Sequence, residues 1–137
     1  MSVRPDVDTY WLDNVEGISA RGECRRSKVG ALLVNAMGRL RGSGINGVAP
    51  GEESCLDGAC PRGLLSFEEQ PPGGSYGNCI AVHAENNLLI NSAEQDLIGG
   101  TVYITRAPCD GCLRLLRIAH VSRVVWRVDG VKQEMSL

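Results

Sequence analysis

A chain of 137 residues can bury one hydrophobic core but is short for two ordinary domains, so a single domain over 1–137 is expected. With 43% apolar and 22% charged residues it has the balance of a folded globular protein, which excludes a disordered or fibrous chain. A formal net charge of -2 gives no general attraction for a polynucleotide, so a nucleic-acid polymer is not an expected partner, while a small anionic ligand held by a local basic patch remains open.

Met1 to Asp13 mixes charges without an apolar run of signal-peptide length, and no later stretch approaches the roughly 20 apolar residues of a membrane span. No membrane association and a cytoplasmic location are therefore expected. Asp6 to Ala20 carries Val7, Tyr10, Trp11, Val15 and Ile18 near helical spacing and predicts one amphipathic helix, weakened at Gly17. Tyr10 and Trp11 on it read as core or subunit-contact residues rather than a stacking platform. Val29–Val34 is a short apolar run suited to a strand, Asn35 to Gly38 a turn, and Arg39–Ile45 a second strand, which together predict a hairpin. Gly47 to Asn78 reads as a long loop containing Pro50, Pro61, Pro71 and Pro72. At that length it must be functional, clamped or partly disordered. Val82–Ala93 then predicts a helix, Thr101–Thr105 a strand, Cys109–Ala119 a helix and Arg123–Val128 a strand. Strands alternating with helices imply parallel crossovers, and the hairpin adds an antiparallel pair, so the fold class is α/β with a mixed sheet covered by helices. His120 reads as a complement to a helix dipole, without a catalytic role.

Six cysteines, in a reducing compartment, point to metal ligation rather than disulfides. His83-Ala84-Glu85 opens one predicted helix and Pro108-Cys109-Asp110-Gly111-Cys112 opens another. Residues two apart on an ideal helix diverge by about 200°, so His83 and Glu85 can converge only on a pocket that caps the first turn. The positive partial charge of a helix N-terminus is expected to favour the thiolates of Cys109 and Cys112. Three ligands, His83, Cys109 and Cys112, leave the fourth tetrahedral position of a zinc ion to water, the pattern of a catalytic site. Glu85 is suited to moving protons between that water, a ring nitrogen and a departing amine. H-x-E followed by P-C-x-x-C is the signature of zinc deaminases.

On these residues the chain resembles the deoxycytidylate deaminase branch of the cytidine deaminase superfamily. Cys24-Arg25-Arg26-Ser27-Lys28-Val29-Gly30-Ala31 resembles that family's first-strand segment. Gly44-Ile45-Asn46-Gly47 resembles its G-Y-N-G turn, with Ile45 in place of the aromatic residue. Cys55 to Arg62 resembles the cysteine-bearing insert of many bacterial members, while Arg106-Ala107 stands where an apolar pair is common. The resemblance implies a three-layer α/β/α fold, a zinc that activates water, Glu85 as proton shuttle and Asn46 hydrogen-bonded to a sugar. It further implies that the Ala84 amide and the Ala107 carbonyl grip the edge of a pyrimidine base, and that the protein forms a homo-oligomer.

The basic residues Arg25, Arg26, Lys28 and Arg62 are either a solvated face or a phosphate contact, and Arg26 is the first candidate for the latter. Cys24, Cys55, Cys60 and Cys79 are either independent buried thiols or the shell of a second, structural zinc that would order the long loop. The expected function is zinc-dependent hydrolysis of the amine of a cytosine nucleotide, dCMP to dUMP and ammonia. Deamination of a nucleoside, free base or nucleoside antibiotic, and a zinc-stabilised binding module without catalysis, are the alternatives.

Overall fold

The computed structural model describes residues 3–61, 64–66, 68–69 and 80–137. Gly30–Val34 (β1) is buried at every position, as a strand covered on both faces must be. It pairs antiparallel with Leu40–Ile45 (β2) on one side and Thr101–Ile104 (β3) on the other. Beyond β3 the sheet continues with Arg123–Val128 (β4) in parallel and Val131–Ser136 (β5) antiparallel, giving the order β2-β1-β3-β4-β5. The period-two alternation of a strand sends Ala31 and Leu33 to one face, with Val102, Ile104 and Val124, and Leu32 and Val34 to the other, with Tyr103 and Val125.

Each apolar face is covered by helices. Val7–Ser19 (α1) lays Leu12 and Val15 over Leu32, Tyr103 and Val125. On the opposite face lie Ala84–Asn91 (α2), the short Glu94–Leu97 (α3) and Asp110–Ile118 (α4), which contribute Leu88, Leu97, Leu113 and Leu116. The three-layer α/β/α arrangement expected from the sequence is thus present. The crossover β3-α4-β4 joins adjacent parallel strands, while β2 and β3 run the same way with β1 between them. Among the described residues no helix is long and apolar enough to cross a membrane.

Several elements differ from their sequence reading. Gly17 does not interrupt α1, whose Asp6 N-cap accepts a hydrogen bond from the Thr9 amide at 3.2 Å. Its buried stripe is Asp8, Leu12, Val15 and Ser19, with Trp11 and Ile18 alongside, whereas Val7 and Tyr10 stay exposed. The helix expected over Val82–Ala93 is shorter. Val82 forms a β-bridge with Gly47, His83 takes extended backbone as the N-cap, and Ser92 ends the helix in extended geometry with its Oγ donating to the Leu88 carbonyl at 2.6 Å. Strand β5 was not expected, since Val131 to Ser136 is charged and mostly exposed, as an edge strand often is. Its signal was the Asp129-Gly130 pair, whose φ values of 50° and 78° give the two-residue turn that joins β4 to β5. His120, with φ 63°, closes the C-terminus of α4 in the left-handed conformation.

A buried carboxylate ties the layers together. Asp8 on α1 accepts hydrogen bonds from the Tyr103 hydroxyl at 2.6 Å, from both terminal nitrogens of Arg123, and from Lys132 Nζ at 3.1 Å, linking α1 to β3, β4 and β5. Burial pushes the Asp8 carboxyl up. The Tyr103 and Lys132 hydrogen bonds and the charges of Arg123 and Lys132 outweigh it and hold the group below the usual carboxylate range. A carboxyl whose folded pKa is lowered contributes stability that is present above its unfolded pKa, about 4, and is lost as pH falls through the lower folded value. Asp8→Asn is therefore expected to lower stability at neutral pH and to flatten the acid limb of the stability curve. Denaturant midpoints measured from pH 7 downward check this, and a variant curve parallel to wild type would refute the role given to Asp8.

Candidate active site

The sheet brings the N-terminal ends of α2 and α4 together on one face. His83 is the N-cap of α2 and Glu85 lies in its first turn; Cys109 is the N-cap of α4 and Cys112 lies one turn further on. Because His83 sits outside the helix with extended backbone, its ring can turn toward Glu85, which resolves the divergence expected of helical residues two apart. His83 Nδ1 lies 3.3 Å from Cys112 Sγ and 3.6 Å from Cys109 Sγ. These atoms and a Glu85 carboxylate oxygen all fall within 4.8 Å of one another.

Tetrahedral zinc, with bonds of about 2.1 Å to nitrogen and 2.3 Å to sulfur, separates its N and S ligands by about 3.6 Å, so one nitrogen and two sulfurs at these spacings fit the ion, with Nδ1 as the histidine donor. Cys109 Sγ also accepts the Cys112 amide at 3.4 Å, and Pro108 lies just outside the helix rather than at its first position. The expectation that the helix ends favour both thiolates needs correcting for Cys112. Burial, followed by the neighbouring Glu85 carboxylate and Cys109, pushes that thiol well up. A carboxylate and two thiols packed so closely call for a cation, and a metal binding there displaces the thiol proton.

Gly44 on β2 allows this geometry. A Cβ at Gly44 would collide with the Ala84 carbonyl and the Leu88 amide, so only glycine lets the first turn of α2 rest on the strand. Asn87 then fastens the helix, its Nδ2 donating to the Ile45 carbonyl at 2.7 Å. Both contacts escaped the sequence reading, in which Gly44 appears only as part of the Gly44-Ile45-Asn46-Gly47 turn, because each joins segments about 40 residues apart. Gly44→Ala is expected to cost about 1–3 kcal/mol of stability through overpacking and to depress turnover by displacing Glu85. Parallel thermal melts and rate measurements check this, and wild-type values of both would contradict the packing argument.

A cavity opens beside His83, Glu85 and Cys109, and Ala84, Ala107, Asn46 and Arg26 all line it. Asn46 is buried and already engaged: Oδ1 accepts the Val29 amide at 2.9 Å and Nδ2 donates to the Ser27 carbonyl at 2.7 Å. A primary amide has a second N–H and a second lone pair, so Asn46 can clasp this segment and still offer a donor and an acceptor to a ligand. Of the other basic residues, Lys28 Nζ turns back to the Ala20 carbonyl at 3.5 Å, Arg25 is exposed, and Arg62 lies outside the described residues. Ser27 and Arg106, to which the sequence reading gave no role, also line the cavity. The Arg106 signal was its place two residues before Pro108, on the loop that delivers Cys109.

Cys24, Cys55 and Cys60 gather next to the cavity, where Cys24 and Cys60 form part of the lining. Burial pushes the Cys55 thiol up, against a hydrogen bond from the Arg25 amide at 3.3 Å, and Cys24 and Cys60 add to the rise. Cys79 lies outside the described residues. Among the described residues, the group close enough to share an ion is His83, Glu85, Cys109 and Cys112.

An α/β/α sandwich with a His/Cys/Cys cluster and a buried glutamate at two facing helix ends defines a zinc-dependent hydrolytic deaminase. The chain belongs to the cytidine and deoxycytidylate deaminase family, whose zinc-binding region matches residues 5–128. It is 42% identical over 125 residues to the deoxycytidylate deaminase of Mycobacterium phage D29, covering 90% of this chain and 95% of that protein. The deoxycytidylate deaminase of Schizosaccharomyces pombe is 27% identical over 127 residues, which are 92% of this chain but 38% of that longer protein. Among solved structures, the dCMP deaminase from the cyanophage S-TIM5 in complex with dCMP and dUMP superimposes with a TM-score of 0.67 at 26% identity, covering 92% of this chain and 84% of that one.

Proposed function

We propose that the protein hydrolyses the exocyclic amine of dCMP, giving dUMP and ammonia. The observation that carries this reading is the buried Glu85 carboxylate beside the His83, Cys109 and Cys112 donors, in a cavity that Arg26 also lines. The phage D29 and S-TIM5 relatives support the choice of substrate. Zinc at such a site supplies a water that ionises near neutral pH and can attack the amine-bearing carbon. Glu85 takes one proton from the attacking water and hands it to the ring nitrogen, then takes the second from the hydroxyl now on the carbon and delivers it to the amine, so that the carbonyl forms as the C–N bond breaks and ammonia leaves. The backbone at Ala84 and Ala107 holds the base edge, the spare donor and acceptor of Asn46 meet the sugar, and Arg26 meets the 5'-phosphate.

Glu85→Ala is expected to keep zinc and fold while turnover falls by about 10²- to 10⁴-fold, the usual worth of general acid–base catalysis. Ammonia release from dCMP, measured beside zinc content, checks this. Retention of more than about a tenth of the wild-type rate would remove Glu85 from proton transfer. Ammonia from deoxycytidine or cytosine but not from dCMP would move the substrate to a nucleoside or free base.

Three further parts of the reading rest on other observations. A cytoplasmic setting, reducing as it is, suits thiol ligands. Assembly into a homo-oligomer is supported by Ile90 on α2 and by Leu115 and Ile118 on α4, apolar side chains left exposed on one helical layer. A second, structural zinc held by Cys24, Cys55, Cys60 and Cys79 rests on the four thiols of the sequence: the first three lie near one another beside the cavity, though among the described residues they do not form a group close enough to share an ion. Metal analysis is then expected to find nearly two zinc per chain, with Cys55→Ser losing one and unfolding more easily. A wild-type content near one would discard the second ion.

A further inference from the structure

Arg106 lies between β3 and α4, in the loop that leads to Cys109, and its side chain is exposed. It lines the cavity that holds Glu85 and His83, and its Nη1 donates to Ser27 Oγ at 3.2 Å, bridging two loops that are 79 residues apart in sequence. Among the described residues no carboxylate pairs with Arg106, whereas Arg41 meets one and Arg123 and Arg127 each meet two. Among the described residues, a guanidinium with no balancing carboxylate therefore stands at the cavity. Arg26, which immediately precedes Ser27, lines the same cavity.

The wall carrying Arg26 and Ser27 is held in place by the Asn46 hydrogen bonds on either side of Lys28. Ser27 Oγ accepts from Arg106 and keeps its own proton to donate. Two arginines and a hydroxyl lining one cavity match a phosphate monoester, which carries about -1.5 to -2 charges near neutral pH and presents three acceptor oxygens. We propose that Arg106 is a specificity-determining residue which, with Arg26 and Ser27, grips the 5'-phosphate and selects a nucleoside monophosphate over the nucleoside. This rests on the nucleotide reading above. It adds to that reading a second cationic arm, brought in on the loop that also supplies the Cys109 and Cys112 ligands.

Steady-state kinetics on the full zinc-loaded chain, with dCMP and deoxycytidine as substrates and thermal melts as a folding control, test the proposal. Arg106→Ala is expected to lower the ratio of kcat/KM for dCMP to that for deoxycytidine by about ten- to a hundredfold, the range for hydrogen bonds to charged groups, with most of the loss in KM for dCMP. Arg106→Lys should recover part of the ratio, since lysine keeps the charge without the planar fork. Inorganic phosphate should compete with dCMP for the wild type and less strongly for Arg106→Ala. A ratio equal to wild type in Arg106→Ala, alongside a collapsed ratio in Arg26→Ala, would overturn the role of Arg106 and leave the nucleotide reading standing. A wild type with no preference for dCMP over deoxycytidine would overturn both. Should the alanine variant fail to fold, Arg106→Gln carries the same comparison.

Discussion

The site depends on two helix N-termini being held against each other over one face of the sheet. Neither helix start carries a complete metal shell: that of α2 brings His83, with Glu85 beside it, and that of α4 brings Cys109 and Cys112. They meet because β2 leads toward one helix start and β3 toward the other, with β1 between the strands fixing their spacing. The crevice outside the carboxyl ends of the strands is where open α/β sheets generally place their chemistry. Gly44 removes the side chain that would keep α2 away from the sheet, and Asn87 fastens it there.

The donors themselves were readable in the sequence, because each pair is local and its spacing is set by a helix end. H-x-E and P-C-x-x-C state both the residue types and the geometry, and the structure brings all four side chains within 4.8 Å of one another. Asn46, Ala84, Ala107 and Arg26, named from the sequence, do line the cavity, but two of its other residues are a different matter. Arg106 and Ser27 approach through loop geometry, and no pattern in a single sequence encodes a contact between positions so distant. Asp8 was hidden for a related reason: a carboxylate inside an apolar stripe makes sense only once Arg123 and Lys132 from the far end of the chain are seen to reach it.

Periodicity succeeded where burial was two-sided and failed where it was not. β1 announced itself as an unbroken apolar run, whereas β5 alternates nothing, since both of its faces meet mostly solvent. Its Asp129-Gly130 turn was a better guide than the strand that follows it. The break between α2 and α3 was illegible for the opposite reason. Ser92 and Ala93 do not oppose a helix strongly, and it is the serine hydroxyl bonding back to Leu88 that accompanies the end of the turn.

Asn46 connects recognition to the architecture. Its side chain is locked by Val29 and Ser27 before any ligand arrives, so the sugar proposed to meet its remaining donor and acceptor would find a group that has already surrendered its rotational freedom. The ordering cost is met when the chain folds rather than when the complex forms, which is what preorganisation means in physical terms. The same economy binds two properties together: a substitution at position 46 would loosen the wall that carries Arg26 as well as alter the proposed contact to the ligand. Ground-state affinity and the integrity of the cavity wall therefore cannot vary independently at this residue.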